Sequence, residues 1–237
     1  LAAYTDYDKN IRTGRYAIDE TEGTLQTFRK FRNGMQSAVS LTIPSVRTKE
    51  RLAQEVSERM MMDKEELLSA LNDDKICSKY GMDTLTIQCV FIPNTYDVYW
   101  NISVEKFLDR MKKEYEAFWN NERKNKAEAI GMTQQEVITL ASIIDEETAN
   151  NAEKPMVAGM YINRLKINMP LQADPTIKYA WQQFGLKRIY NKLLHIDSPY
   201  NTYKNTGLPP GPIRIPSIAG IDAVLNYVKH YNLYMCA

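Results

Sequence analysis

Apolar positions along this chain recur with two periods, and the period separates strands from helices. Val39, Leu41 and Ile43 alternate with polar neighbours and stop at Pro44, which predicts a half-buried strand. Residues 14–18 read as another short strand. Leu85, Ile87, Cys89 and Phe91 alternate with Thr84, Thr86, Gln88 and Val90 and predict a third, with Cys89 a small core residue. Helical spacing gathers Leu25, Phe28 and Phe31, then Leu52, Val56 and Met60 behind a Thr48 cap. Asp63 and Glu66 open a helix through Leu67, Leu68 and Leu71. From Ser103 a long helix carries Phe107, Leu108, Met111, Tyr115, Phe118 and Trp119, and Gly131 ends that stretch.

The pattern predicts an α+β fold: a small N-terminal region over 1–85 followed by a mixed α/β domain over 86–237. Strand, helix, helix within residues 38–74 makes a compact module. Order alone leaves it open between a packing unit and a carbohydrate-binding one.

A T-x-x-E capping box, Thr133 to Glu136, opens the next helix, with Val137, Leu140, Ala141 and Ile144 as its buried stripe. At ~100° per residue Glu147 projects within ~20° of Leu140, at one edge of the stripe. Asp145 falls at the other edge and Glu146 points away. In the last turn, the helix dipole and partial burial both raise a carboxyl's pKa, which suits a general acid. The plainer reading is an edge acid paired with a basic residue such as Arg164. A following helix turns Met156, Val157, Met160, Tyr161 and Leu165 inward. Asp174 before Pro175 reads as an N-cap and first-turn pair, leaving Gln172 and Thr176 free to hydrogen-bond. Four prolines and two glycines between 199 and 212 fix an extended loop. It reads either as a structural crossover or as a sugar-recognition loop. Ser217 caps a last helix through Ile221, Val224 and Leu225, and residues 232–237 look like a strand.

Composition narrows the function. Thirty Lys+Arg balance twenty-nine Asp+Glu at net +1, and basic residues do not interleave with aromatics, so no nucleic-acid partner is expected. Cys77, Cys89 and Cys236 form no close pair, and His195 and His230 lie far apart, so neither disulfides nor a metal site are expected. Phosphate-binding glycine motifs are absent, and no cofactor is implied. No apolar run reaches the ~18 residues of a membrane span. The start at Leu1, without Met, reads as a mature or partial fragment.

Four blocks of sequence carry a resemblance. They are Phe91-Ile92-Pro93-Asn94-Thr95-Tyr96; Ala141-Ser142-Ile143-Ile144-Asp145-Glu146-Glu147-Thr148; and Tyr161-Ile162-Asn163-Arg164-Leu165 with Met169 through Thr176. The fourth is Ser198-Pro199-Tyr200-Asn201-Thr202-Tyr203 with Gly207 through Ile213. In this order they resemble the YceG-like (MltG) family of endolytic murein transglycosylases. The resemblance implies cleavage of the MurNAc-β-1,4-GlcNAc bond within nascent peptidoglycan strands, leaving 1,6-anhydro-MurNAc ends. It puts the catalytic glutamate at Glu147 and makes the 38–74 module a LysM-like subdomain. It assigns substrate contacts to Asn163, Gln172, Thr176, Tyr200, Asn201 and Tyr203, and supporting roles to Asp145, Arg164 and Asp174. It also implies an N-terminal anchor in the bacterial inner membrane, outside this chain, with the catalytic part facing the periplasm or cell exterior. Cell-wall synthases are the protein partners it suggests, and a C-terminal strand region would continue beyond Ala237. Two readings compete: a non-catalytic peptidoglycan-binding scaffold, and a muramidase that hydrolyses the same bond through a second carboxylate ~5–9 Å away.

Overall fold

In the computed structural model, which describes residues 7–235, two strands and ten α-helices are formed. Strand β1 (Ala38–Ile43) pairs antiparallel with β2 (Asn94–Tyr99), Leu41 opposite Tyr96 and Val39 opposite Val98. The inner face buries Leu41, Ile43, Tyr96 and Val98, while Ser40 bonds Asp97 and Thr42 bonds Thr95 on the outer face. Between the strands lie helices α2 (Lys49–Ser57), α3 (Lys64–Leu71) and α4 (Asp74–Lys79). Each begins on a side-chain cap, from Thr48, Asp63 and Asp73 respectively. The sheet thus joins residues on both sides of position 85, and one apolar cluster runs from Leu41 to Leu225.

Several expectations need correction. Residues 14–18 form no strand: Ser37 takes their backbone groups, its N–H donating to Arg15 O and its Oγ accepting from Ala17 N–H. They lead to α1 (Thr24–Asn33), a helix without buried residues. The alternation over 84–91 is not a strand either. Asp83 accepts from the N–H groups of Leu85 and Thr86, and Ile87–Val90 wind as a 3₁₀ turn. Both faces of that turn are buried, Gln88 and Val90 with Ile87 and Cys89, so the alternation does not divide a core face from a water face. Cys89 is a core residue, its thiol pushed up by burial. The strand lies just beyond, at β2.

The long amphipathic stretch divides at Trp119 into α5 (Val104–Phe118) and α6 (Asn121–Ala129), each capped, by Ser103 and Asn120. Gly131, at φ +73°, closes it. Helix α7 (Gln134–Glu147) carries the full capping box of Thr133 and Glu136. Its middle, from Val137 to Ile144, is buried on every side, so it is the central helix and not a one-faced one. Helices α8 (Lys154–Lys166), α9 (Asp174–Ala180) and α10 (Ile218–Leu225) pack around it. On α8, Val157, Met160 and Tyr161 are buried, but Met156 is exposed. Asp174 is the first residue of α9 and Ala173 its cap position, one place earlier than the sequence suggests. Residues 232–235 form no strand, and Cys236 and Ala237 lie outside the described residues.

Candidate active site

Three successive acids close α7, and each meets different partners. Asp145 is buried against Lys154 of α8, with Oδ1 2.8 Å from Nζ. Its carboxylate also accepts from the N–H of Ser217 at 2.5 Å and the hydroxyl of Ser217 at 3.0 Å. Ser217 caps α10, so Asp145 clamps three helix ends together. Glu146 does not point to water. It accepts two bonds from Arg47, at 2.8 and 2.9 Å, and one from Arg214 at 3.0 Å.

Glu147 stands apart. Its Oε1 accepts a 2.6 Å hydrogen bond from the Tyr161 hydroxyl, and among the described residues no salt bridge reaches it. Burial raises its pKa; the Tyr161 bond, Lys178 and Arg164 pull against that rise, and Asp174 adds to it. Tyr161 is itself fully buried in α8, and burial together with the neighbouring Glu147 holds its phenol protonated. A neutral O–H donor thus fixes the carboxyl's orientation without neutralising it by an ion pair.

Arg164 is not Glu147's partner. Its guanidinium donates to the carbonyls of Leu233, at 2.7 Å, and Leu171, at 2.5 Å, and so holds the backbone entering α9. Asp174 accepts from the Tyr203 hydroxyl, and both lie close enough to Glu147 for their charges to be felt there. Gln172 is exposed in a left-handed backbone conformation at φ +51°, and its side chain makes no hydrogen bond among the described residues.

Four residues expected at the sugar turn out to be committed elsewhere. Asn163 donates to the carbonyls of His230 and Asn232. Thr176 bonds Ala173 O and Thr202 Oγ1 inside the core. Asn201, fully buried, donates to Leu194 O and Ile196 O and accepts from Tyr203 N–H. Tyr200 is buried with its ring 4.8 Å from that of Tyr179. The proline-rich loop is therefore a crossover threaded through the core, where Ile213 N–H donates to Ser142 Oγ and Ile215 N–H to Val46 O. Its Gly211 lies so close to Leu85 O that an added Cβ would stand 2.3 Å from it. Gly211→Ala is expected to destabilise the fold by about 1–3 kcal/mol through this overpacking, read as a lower urea midpoint. An unchanged midpoint would show that the loop yields there.

What gathers around Glu147 is Tyr161, Arg164, Asp174, Lys178 and Tyr203. The sequence reading missed Tyr161 and Lys178 as site residues. Tyr161 stood on the inward stripe of α8, and a buried tyrosine hydroxyl needs a partner. Lys178 is one turn after Asp174 on α9, on the same face.

The YceG-like family model matches residues 1–237. The endolytic murein transglycosylase of Streptococcus pneumoniae serotype 2 (strain D39) is 28% identical over 270 residues, spanning all of this chain and 48% of the relative. That of Bacillus subtilis (strain 168) is 31% identical over 219 residues, covering 84% of this chain and 59% of the relative. The crystal structure of a yceG-like protein from Listeria monocytogenes superposes with a TM-score of 0.73 at 29% identity, covering all of this chain and 83% of that one. The chain spans about half the length of the Streptococcus relative it matches. By its family match and its fold, this chain belongs to the YceG-like family.

Proposed function

We propose that the chain is the catalytic part of an endolytic lytic transglycosylase of peptidoglycan, with Glu147 as its single acid/base. The observation that carries this reading is the contrast among the three acids of α7: Asp145 and Glu146 are tied by cations, whereas Glu147 has no ion pair among the described residues and is held by the Tyr161 hydroxyl. The names of the relatives supply the bond class.

One carboxyl is enough for this chemistry. In its protonated form, which burial favours, Glu147 gives its proton to the glycosidic oxygen as charge builds at the anomeric carbon. The C6 hydroxyl of the same sugar then attacks, and Glu147 takes its proton back. Because the nucleophile belongs to the substrate, its effective concentration is high and no water has to be held. A hydrolase would need a second carboxylate; Asp174 is the acid placed nearest that role, and its oxygen is already engaged by Tyr203. Tyr203 and Gln172 are the remaining candidates for sugar contacts. In this reading residues 38–74, with β1, α2 and α3, form the LysM-like glycan-binding unit. The enzyme works at the wall from an inner-membrane anchor outside this chain, beside cell-wall synthases. Among the described residues no helix is long and apolar enough to cross a membrane.

The test is mass spectrometry of the soluble products from purified peptidoglycan. Anhydro-ended fragments are expected. Reducing ends, one water heavier, would mean a muramidase, and binding without products a scaffold.

Tyr161→Phe gives a second expectation. The hydroxyl stabilises the carboxylate, so removing it raises the Glu147 pKa further. Because the protonated acid is the active form, the alkaline limb of the pH–rate profile should move to higher pH. The rate at the optimum should fall by about tenfold, the worth of one positioning hydrogen bond to a charged group. A limb that stays in place would separate Tyr161 from the acid.

A further inference from the structure

Helix α9 turns one face away from the core. Pro175, Thr176 and Ile177 are buried, whereas Asp174 and Trp181 are exposed and Lys178 is half-buried. The helical path runs on through its cap position, since Trp181 keeps right-handed backbone angles and its N–H donates to Ile177 O at 3.0 Å. At ~100° and ~1.5 Å per residue, Asp174, Lys178 and Trp181 share that face, and Trp181 stands roughly 10 Å along it from Asp174. The near end of the face adjoins the catalytic carboxyl. Helix α9 packs on α7, and the charges of Asp174 and Lys178 both act on Glu147.

Trp181 is the exposed tryptophan, Trp119 lying in the core and Trp100 being partly buried. Its ring is held in place by one edge: the indole N–H donates to Leu193 O at 3.1 Å. Among the described residues the ring meets no other ring and no cation. Leu193 N–H donates in turn to Tyr190 O at 2.8 Å, which brings a second exposed aromatic residue to the same short turn. Between Trp181 and Ile196 the chain carries Lys187, Arg188 and Lys192 and no acid.

A single exposed aromatic is ordinary on a protein surface. An indole anchored by its edge, with its face uncovered and on the helix face that leads to the acid, is a stacking platform. It offers a large flat contact at little cost in side-chain entropy. We propose that Trp181 is a remote sugar subsite, whose indole face takes a pyranose ring of the glycan strand about two helical turns from the Glu147 end of α9. The inference rests on the murein reading of Glu147. An endolytic enzyme cuts inside a strand, so sugars continue past the bond that is cut. Two helical turns exceed the length of one pyranose ring, so the ring at Trp181 belongs to a neighbouring sugar and not to the one being cleaved. The acid-free, basic segment beside it suits a strand that carries carboxylates. Contact made there is spent on aligning the strand at Glu147.

Binding is measured by calorimetric titration in the Glu147→Gln background, so that nothing turns over. The probes are peptide-free murein glycan strands fractionated by length. Trp181→Ala is expected to weaken binding of long strands about tenfold, the worth of one stacked ring. Strands too short to reach from Glu147 to the far end of α9 should not respond. Trp181→Phe separates the ring from the anchor, because it keeps an aromatic face and loses the N–H that holds Leu193. It should retain most of the affinity for long strands. If Phe binds as weakly as Ala, or if short strands lose as much as long ones, Trp181 is an anchor of the Asn191–His195 turn and the subsite is overturned. Equal affinity of the Ala variant and its parent for long strands, or no binding of any strand by the parent, would overturn it as well. The murein reading fails by a different result, the absence of anhydro-ended products from the unaltered protein.

Discussion

Glu147→Gln is expected to slow cleavage of the glycan bond by about 10²–10⁴-fold, the usual worth of a positioned general acid. The amide keeps the shape of the side chain and an oxygen for the Tyr161 hydroxyl, so the fold survives. Stability should move the other way. Burial raises the Glu147 pKa above the ordinary 4.5. The unfolded chain therefore releases this proton at a lower pH than the folded one. The favourable contribution is complete below the unfolded pKa and is lost as pH rises through the raised folded one. Glutamine has no charge to desolvate, so at neutral pH the variant should melt at a higher temperature than the parent. The gap should close in acid, where both side chains are neutral. A variant that is inactive and also less stable at neutral pH would mean that the carboxylate is a structural anion. Retained turnover would remove Glu147 from the mechanism altogether.

The same residue shows how far local pattern reaches. Glu147 was legible because its place at the stripe's edge depends only on helix geometry and on a capping box that forms as written. The caps at Thr48, Asp63, Ser103 and Ser217 were legible for the same reason: a cap answers to backbone groups within three residues. The partners of Glu146 were not legible, because they are remote in sequence. Arg47 lies 99 positions away and Arg214 lies 68, and the loops that deliver them cover the outer face of α7. The segment 84–91 failed differently. Period-two alternation reports a half-buried strand only if one face meets water, and here Gln88 is inside the core. Asn201 and Tyr200 sit in a loop rich in prolines, where a surface is the natural expectation. Their amide and ring instead hold the crossover together, and nothing in their composition distinguishes that use from sugar binding.

Asp145→Ala is the substitution expected to cost the most stability, about 3–5 kcal/mol, because it breaks a buried ion pair from one side. Lys154, almost fully buried, would be left with only the Ser217 hydroxyl at 3.4 Å, and the Ser217 N–H would lose its acceptor. At the ~2–4 °C per kcal/mol of a chain this size, the melting temperature should fall by roughly 10 °C. The geometry admits no easy repair. A Cβ on Gly220 would lie 2.5 Å from Asp145 Oδ1, so the carboxylate sits directly against the backbone of α10. The pair itself, however, is replaceable. In the double variant Asp145→Ala with Lys154→Met no charge is left unpaired, and most of the loss should be recovered. If the double variant is as unstable as the single one, the Ser217 contact and not the ion pair holds the three helix ends. The clamp also bears on catalysis, since Glu147 follows Asp145 by two residues on the same final turn. A clamp acting only on the fold should lower the turnover of the double variant little at temperatures where it is folded. A clamp that aims Glu147 should lower turnover there while leaving strand binding intact.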